Sequence, residues 1–173
     1  MLEQNVPETP ETHDLVITRV LDAPVELVWR AWTESELMMK WWGPAGFTCP
    51  SAVMDVREGG KSILCMRAPE WFGGQDMYST WEYRKIVPME RMEFIHNFSD
   101  KDGNSVEPST LGMPSDFPKD QLQIVEFTSL DNGSTKVTIT EYGWTPGRMM
   151  TMSEMGMNQC LDTMAAMLGE GAK

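Results

Sequence analysis

Trp41-Trp42-Gly43-Pro44 closes a run of helical residues, and Asp55-Val56-Arg57-Glu58-Gly59-Gly60 follows it after one short extended stretch. Gly and Pro stop a helix, and two indoles placed just before the stop need an apolar place to go. The pair therefore marks either a packed corner or the wall of a pocket. Working outward from it, Leu15–Leu21 is rich in β-branched residues and predicts a first strand. Asp22-Ala23-Pro24 predicts the start of a helix. On that helix Val25, Val28, Trp29 and Trp32 recur at i, i+3, i+4 and i+7, the stripe of a helix packed on one side. Ser35 is placed to cap a second short helix that runs into the tryptophan pair.

Downstream the pattern changes to strands. Phe47–Val56 is expected to be one, ending at the Arg57–Gly60 turn, and Ser62–Ala68 the next. After Gly73-Gly74 come Met77–Val87 and Arg91–Phe98, joined at Val87-Pro88-Met89-Glu90. Residues 99–120 form a polar loop with Pro108, Pro114 and Pro118, long enough to suggest a lid. Gln121–Leu130 and Ser134–Tyr142 pair across Asp131-Asn132-Gly133, a strong hairpin signal. A long helix is expected from about Met152 to Leu168, with Thr151-Met152-Ser153-Glu154 as a capping box and Gly169 as its stop. Met157, Cys160, Leu161, Met164 and Leu168 share one face of it, while Met155, Asn158, Asp162 and Ala166 point away. The order is β-α-α, six strands and a terminal helix, an α+β domain. Residues 1–13 read as a loose acidic tail and 14–169 as a single domain.

Composition narrows the function. With 173 residues and 41% hydrophobic content the chain can bury its own core. A net charge of −12 argues against nucleic acid and anionic membrane surfaces. Cys49, Cys65 and Cys160 lie far apart, and His13 and His96 are the only histidines, so no metal site, disulfide framework or catalytic triad is expected. No signal peptide and no membrane span is expected, and the location is read as cytoplasmic. The 16 methionines and 7 tryptophans are the outliers. Methionine fills irregular gaps or lines surfaces that accept varied apolar shapes, and plain core packing is the preferred explanation.

Several segments together resemble the family of homologues of the activator of heat-shock-protein-90 ATPase, within the SRPBCC superfamily. They are Asp22–Thr33, Trp41–Pro44, Phe47-Thr48, Asp55–Gly60, Met66–Pro69, Ile86–Arg91 and Asn158–Asp162, and the likeness covers about residues 14 to 168. The resemblance implies a helix-grip fold: a curved antiparallel sheet wrapped around the long C-terminal helix, with two short helices after the first strand. It also implies a cavity between sheet and helix that many relatives use for apolar molecules. Gly156-Met157 stands where relatives often have Gly-Trp, which should alter the cavity's shape, and the 99–120 loop fits a bacterial branch. The additional N-terminal domain of the eukaryotic co-chaperone is not expected here, so the family name is not by itself taken as a sign of chaperone activity.

The tentative cavity-lining, ligand-binding set is Trp42, Met66, Trp81, Tyr83, Phe94, His96, Met157, Leu161 and Met164. Trp41 is assigned to packing and Trp42 to the pocket wall. Trp81 and Tyr83 share one strand face, and His96 alternates with Phe94 and Phe98 on the next strand. Which face is concave stays open, because a one-residue slip exchanges the two. His96 on the concave face would suit ligand orientation or acid–base work; a hydrogen-bonded or solvent-facing strand histidine is the plainer alternative. Glu154, at the edge of the helix's inward face, is explained equally well by the capping box. The expected function is binding of a small hydrophobic or amphipathic molecule, with no cofactor and no metal. The alternatives are a polyketide-cyclase- or aromatase-like enzyme using His96 and Tyr83, and a chaperone-interacting module. Met155 and Ala166 could meet a second copy of the chain, although scattered exposed apolar residues are ordinary.

Overall fold

The computed structural model describes residues 11–114 and 117–171, with side chains as far as Gly169. Most of the expected N-terminal tail, and positions 115 and 116 of the long loop, lie outside the described residues. Seven strands form one antiparallel sheet in the order β1-β7-β6-β5-β4-β3-β2. They are β1 His13–Leu21, β2 Ala52–Val53, β3 Lys61–Arg67, β4 Asp76–Val87, β5 Arg91–Ser99, β6 Gln121–Ser129 and β7 Thr135–Trp144. Between β1 and β2 lie α1 (Val25–Thr33) and α2 (Ser35–Trp41), and the chain ends in α3 (Arg148–Gly171). This is the α+β helix-grip arrangement: a curved sheet closed on one side by the terminal helix.

The local causes follow the sequence closely. Pro24, extended at φ −67°, sits just ahead of α1, and its carbonyl accepts from Leu27 and Val28. Gly43 at φ 124° ends the helical pair, a conformation that an L side chain resists. In the Arg57–Gly60 turn Gly59 has φ 81°. Gly60 is required for a different reason, since a Cβ there would lie 2.3 Å from the Asp55 carbonyl oxygen. The β6–β7 hairpin closes as expected: Asn132 Oδ1 accepts from the Ser134 amide at 3.1 Å, and Gly133 has φ 83°.

Five expectations change. Phe47–Val56 is not one strand; only Ala52–Val53 pairs with β3, and Thr48 makes an isolated bridge to Arg67. Pro50, inside this stretch, has no amide to give to a ladder and interrupts it. Ser35 does not cap α2; Glu34 holds the cap position with no side-chain bond. Nor is there a capping box at Thr151, because α3 already begins at Arg148, placing Thr151 and Glu154 inside the helix. Thr151 Oγ1 instead donates back to the Gly147 carbonyl at 3.2 Å. Gly169 does not stop the helix, which runs on to Gly171. Asp162 does point outward, yet it is not simply solvated: Arg19 of β1 donates to it at 2.7 Å and also reaches Asn158.

The inward face of α3 is as the 3.6-residue period requires. Met157, Cys160, Leu161, Met164 and Leu168 are all buried. They press on a sheet face whose alternation is equally regular, with Leu15, Ile17, Phe94, Val125, Val137 and Ile139 directed inward. Trp32, Trp41 and Trp81 are each only 1% exposed. Burying an indole removes roughly 150–250 Å² from water, worth about 4–6 kcal/mol at ~25 cal/mol/Å² as an upper bound. Trp32 stacks on Trp81 at 5.9 Å between centroids, and Trp81 on Phe94 at 4.5 Å. That aromatic stack fills one half of the space between sheet and helix. The other half is hollow.

Candidate functional site

The hollow half is a cavity of about 260 Å³, open at one side. Its back wall is the sheet, contributing Met66 from β3, Met77 and Ser79 from β4, His96 and Phe98 from β5, Gln121 and Gln123 from β6, and Glu141 and Trp144 from β7. The N-terminal part of α3 faces them with Met149, Ser153, Met157 and Cys160. Trp42, Pro44 and Phe47 close the end next to the core, and Met113 and Phe117 of the long loop close the side. Phe117 packs on Phe98 and Trp144, at 4.9 and 5.1 Å between ring centroids, so this loop forms part of the wall. Six of the 16 methionines line the space.

The tryptophan pair sits on the boundary. Trp41 belongs to the core: it is fully buried, and its Nε1 donates to the Ala31 carbonyl at 2.7 Å. Trp42 stands edge-on to Trp41 and to Trp81, at 5.5 and 5.2 Å, and turns its remaining surface to the cavity. Of the residues expected in the cavity wall, Trp42, Met66, His96 and Met157 are there. Trp81, Tyr83, Phe94, Leu161 and Met164 are not; each is at most 1% exposed, in the filled half of the fold. They occupy the expected inward faces, but nearer the other end of the same strands and helix. The Tyr83 hydroxyl is hydrogen-bonded to Ser62 Oγ at 2.7 Å, and burial pushes its pKa well above the ordinary phenol value, so it stays protonated at neutral pH.

Three polar positions are new. Gln121, Gln123 and Glu141 line the cavity, and all are buried. Gln121 pairs across the ladder with His96, and Gln123 with Glu141, so the four form a polar strip across β5, β6 and β7. The strip carries a signal that the alternation contained. Along each strand the inward residues change from apolar to polar at the same end of the sheet: Phe94 to His96, Val125 to Gln123, Ile139 to Glu141, Trp81 to Ser79. Polar groups are tolerated there because the cavity leaves them space.

Within the strip the hydrogen bonding is uneven. Gln123 Nε2 donates to Gln121 Oε1 at 3.0 Å, and Gln121 Nε2 donates to the Tyr142 carbonyl at 3.1 Å. Glu141 Oε1 accepts from Ser153 Oγ at 2.7 Å and from Trp144 Nε1 at 3.1 Å. Burial nevertheless pushes the Glu141 carboxyl above its ordinary range, and the two bonds only moderate the rise. His96 is shifted the other way, to about 4, because burial disfavours the imidazolium. The Nδ1 of His96 and the Nε1 of Trp42 are both sealed from solvent and have no protein partner. The Cys160 thiol, pushed up to about 12 by burial, is unreactive at neutral pH.

Among the described residues no cluster of three His, Cys, Asp or Glu could hold a metal, and no helix is long and apolar enough to cross a membrane. A second, wider hollow of about 740 Å³ lies beside the start of α1 and the β4–β5 turn. Its Arg91 pairs with Glu93 and Glu126.

A sheet gripping a terminal helix around a half-filled interior defines a helix-grip protein with a cavity of ligand scale. The profile of the family described as Activator of Hsp90 ATPase homolog 1-like protein matches residues 22–169. The chain belongs to that family, within the SRPBCC superfamily. Among solved structures it is similar to a Chromobacterium violaceum protein at 26% identity and TM-score 0.71, covering 90% of this chain and 96% of that one. An Arthrobacter aurescens protein is similar at 24% identity and TM-score 0.72, covering 94% and 90% of the two chains. The AHSA1 protein of Silicibacter pomeroyi shares the fold at 17% identity and TM-score 0.72, with 92% and 99% covered. No curated protein matches the chain.

Proposed function

We propose that this protein binds a small apolar or amphipathic molecule in the cavity between the sheet and the N-terminal half of α3. The observation that carries the reading is the cavity itself: about 260 Å³ with a wall of methionine and aromatic side chains, interrupted by the His96–Gln121–Gln123–Glu141 strip. Ligand sites combine an apolar lining with a few convergent polar groups, and volumes of roughly 300–1,000 Å³ are usual. The cavity lies just below that range, so the ligand is small, on the scale of one to three rings. The methionines let the wall adapt to its shape. Two residues of its wall, Trp42 and His96, carry buried nitrogens without partners.

The test is titration with N-phenyl-1-naphthylamine, followed by fluorescence, together with native mass spectrometry of the protein as purified. Saturable binding that Met157→Trp weakens supports the proposal. If the probe does not bind and no small molecule co-purifies, the cavity is only a packing defect.

One observation favours acid–base chemistry as a second reading. His96 and Glu141 have their proton affinities moved in opposite directions within one cavity, as paired acids and bases do. Tyr83 takes no part in it, since its hydroxyl is held in the core by Ser62.

A further inference from the structure

Glu141 is the one carboxylate among the described residues that line the cavity, and it is 3% exposed. Both of its hydrogen bonds, from Ser153 and Trp144, end on Oε1, and Oε2 receives none. Among the described residues that line the cavity there is no lysine or arginine to balance a charge on this group. A buried carboxylate without a countercharge is costly, and a cation brought in by a ligand removes the cost. The rest of the site favours the same sign. Trp42, Phe98, Phe117 and Trp144 present ring faces and edges around the space, and aromatic faces attract ammonium groups. The chain as a whole carries −12, which draws cations in and repels anions. A ligand carboxylate would meet Glu141 with no arginine to receive it.

Resting on the reading of the cavity as a ligand site, we infer that its ligand is a small hydrophobic amine. The ammonium lies against Glu141 Oε2, and the apolar body lies among the aromatic and methionine side chains. The groups that face Glu141 are compatible with this. His96 on β5 stays neutral above about pH 4, Gln121 and Gln123 on β6 carry no charge, and on α3 Ser153 donates while the Cys160 thiol stays protonated. On β4, the phenol of Tyr78 is pushed above its ordinary value and is also neutral. Because burial raises the proton affinity of Glu141, amine binding competes with that proton, and affinity for the amine rises with pH while that for a neutral ligand does not.

The experiment compares 2-phenylethylamine, 2-phenylethanol and phenylacetate on the full chain by calorimetry, with N-phenyl-1-naphthylamine as the control for an open cavity. The amine is expected to bind about tenfold to a hundredfold more tightly than the alcohol, as a hydrogen bond to a charged group gives, and phenylacetate more weakly than either. Glu141→Gln keeps an acceptor for Ser153 and Trp144, and should bring amine affinity down to that of the alcohol. On the unmodified protein, the observed heat of amine binding should depend on the ionisation enthalpy of the buffer, a signature of proton release that needs no variant. Equal affinity for amine and alcohol, or a preference for phenylacetate, overturns the inference. So does binding of the naphthylamine probe with no amine binding, which leaves the cavity reading intact. If the probe fails as well, both readings fall.

Discussion

His96 gives the sharpest quantitative test of the geometry. Its imidazole is held neutral by burial, with a pKa lowered from 6.5 to about 4 and no carboxylate near enough to offset the loss of water. A group whose folded pKa lies below its unfolded one binds more protons unfolded than folded between the two values. Its contribution to stability is therefore complete above about pH 6.5 and is lost as the pH falls toward 4. A shift of that size corresponds to about 3 kcal/mol at most, at ~1.36 kcal/mol per unit. Glu141 works in the opposite sense. Its raised pKa means that folding retains its proton, so its share of stability is present at low pH and is lost as the pH rises through its folded value. The two tendencies oppose each other in the wild-type acid limb, and removing His96 should separate them. His96→Gln keeps a polar side chain of similar reach without a titrating proton. Urea unfolding at pH 7 and pH 4.5 should show the wild type losing about 2–3 kcal/mol more than the variant over that interval. Contributions from Asp76 and Asp100, whose carboxyls are held low by Arg67 and by Asn104, are common to both proteins and cancel. An NMR titration that found His96 ionising near 6.5 would refute the reasoning, since the imidazole would then be hydrated and the cavity wall misplaced.

Two further outcomes test the division between core and cavity. Trp41→Phe removes the 2.7 Å bond to the Ala31 carbonyl and leaves a void beside Trp32; a loss of about 2–4 kcal/mol is expected in denaturant unfolding, with naphthylamine binding little changed. Met157→Trp places a rigid ring in the cavity, and should cut probe affinity at least about tenfold while costing about 1–3 kcal/mol or less of stability. Unchanged probe binding in that variant would mean that the probe sits elsewhere.

Much of this was legible in the chain. The period of α3 identified its inward face correctly, because residues three and four apart must share a side of any helix. The hairpin at Asn132-Gly133 and the turn at Gly59-Gly60 were equally clear, since both depend on backbone conformations or close approaches that few other residues allow. The failures were local competitions. Thr151 and Glu154 have the spacing of a capping box, yet α3 starts three residues earlier, and nothing in the pattern forbids a helix from beginning before its best cap. Trp81, Tyr83 and Phe94 were candidates for the cavity wall with the concave face left open; they lie on the inward face, in its filled half. The strand alternation says which residues share a side of the sheet, and is silent about which side is concave and how far the helix stands off at that point.

The sequence by itself determined the turns, the inward face of α3 and which strand residues share a face, because turn chemistry and periodicity are properties of neighbours along the chain; the helix-grip fold was read from the family resemblance. Only the tertiary structure decided where along those faces the interior is filled and where it is empty. That depends on Trp32, Trp81 and Phe94 meeting from α1, β4 and β5 to fill one half. Trp42 seals them off, and Glu141, Gln123 and His96 are left to share the other half with whatever binds there.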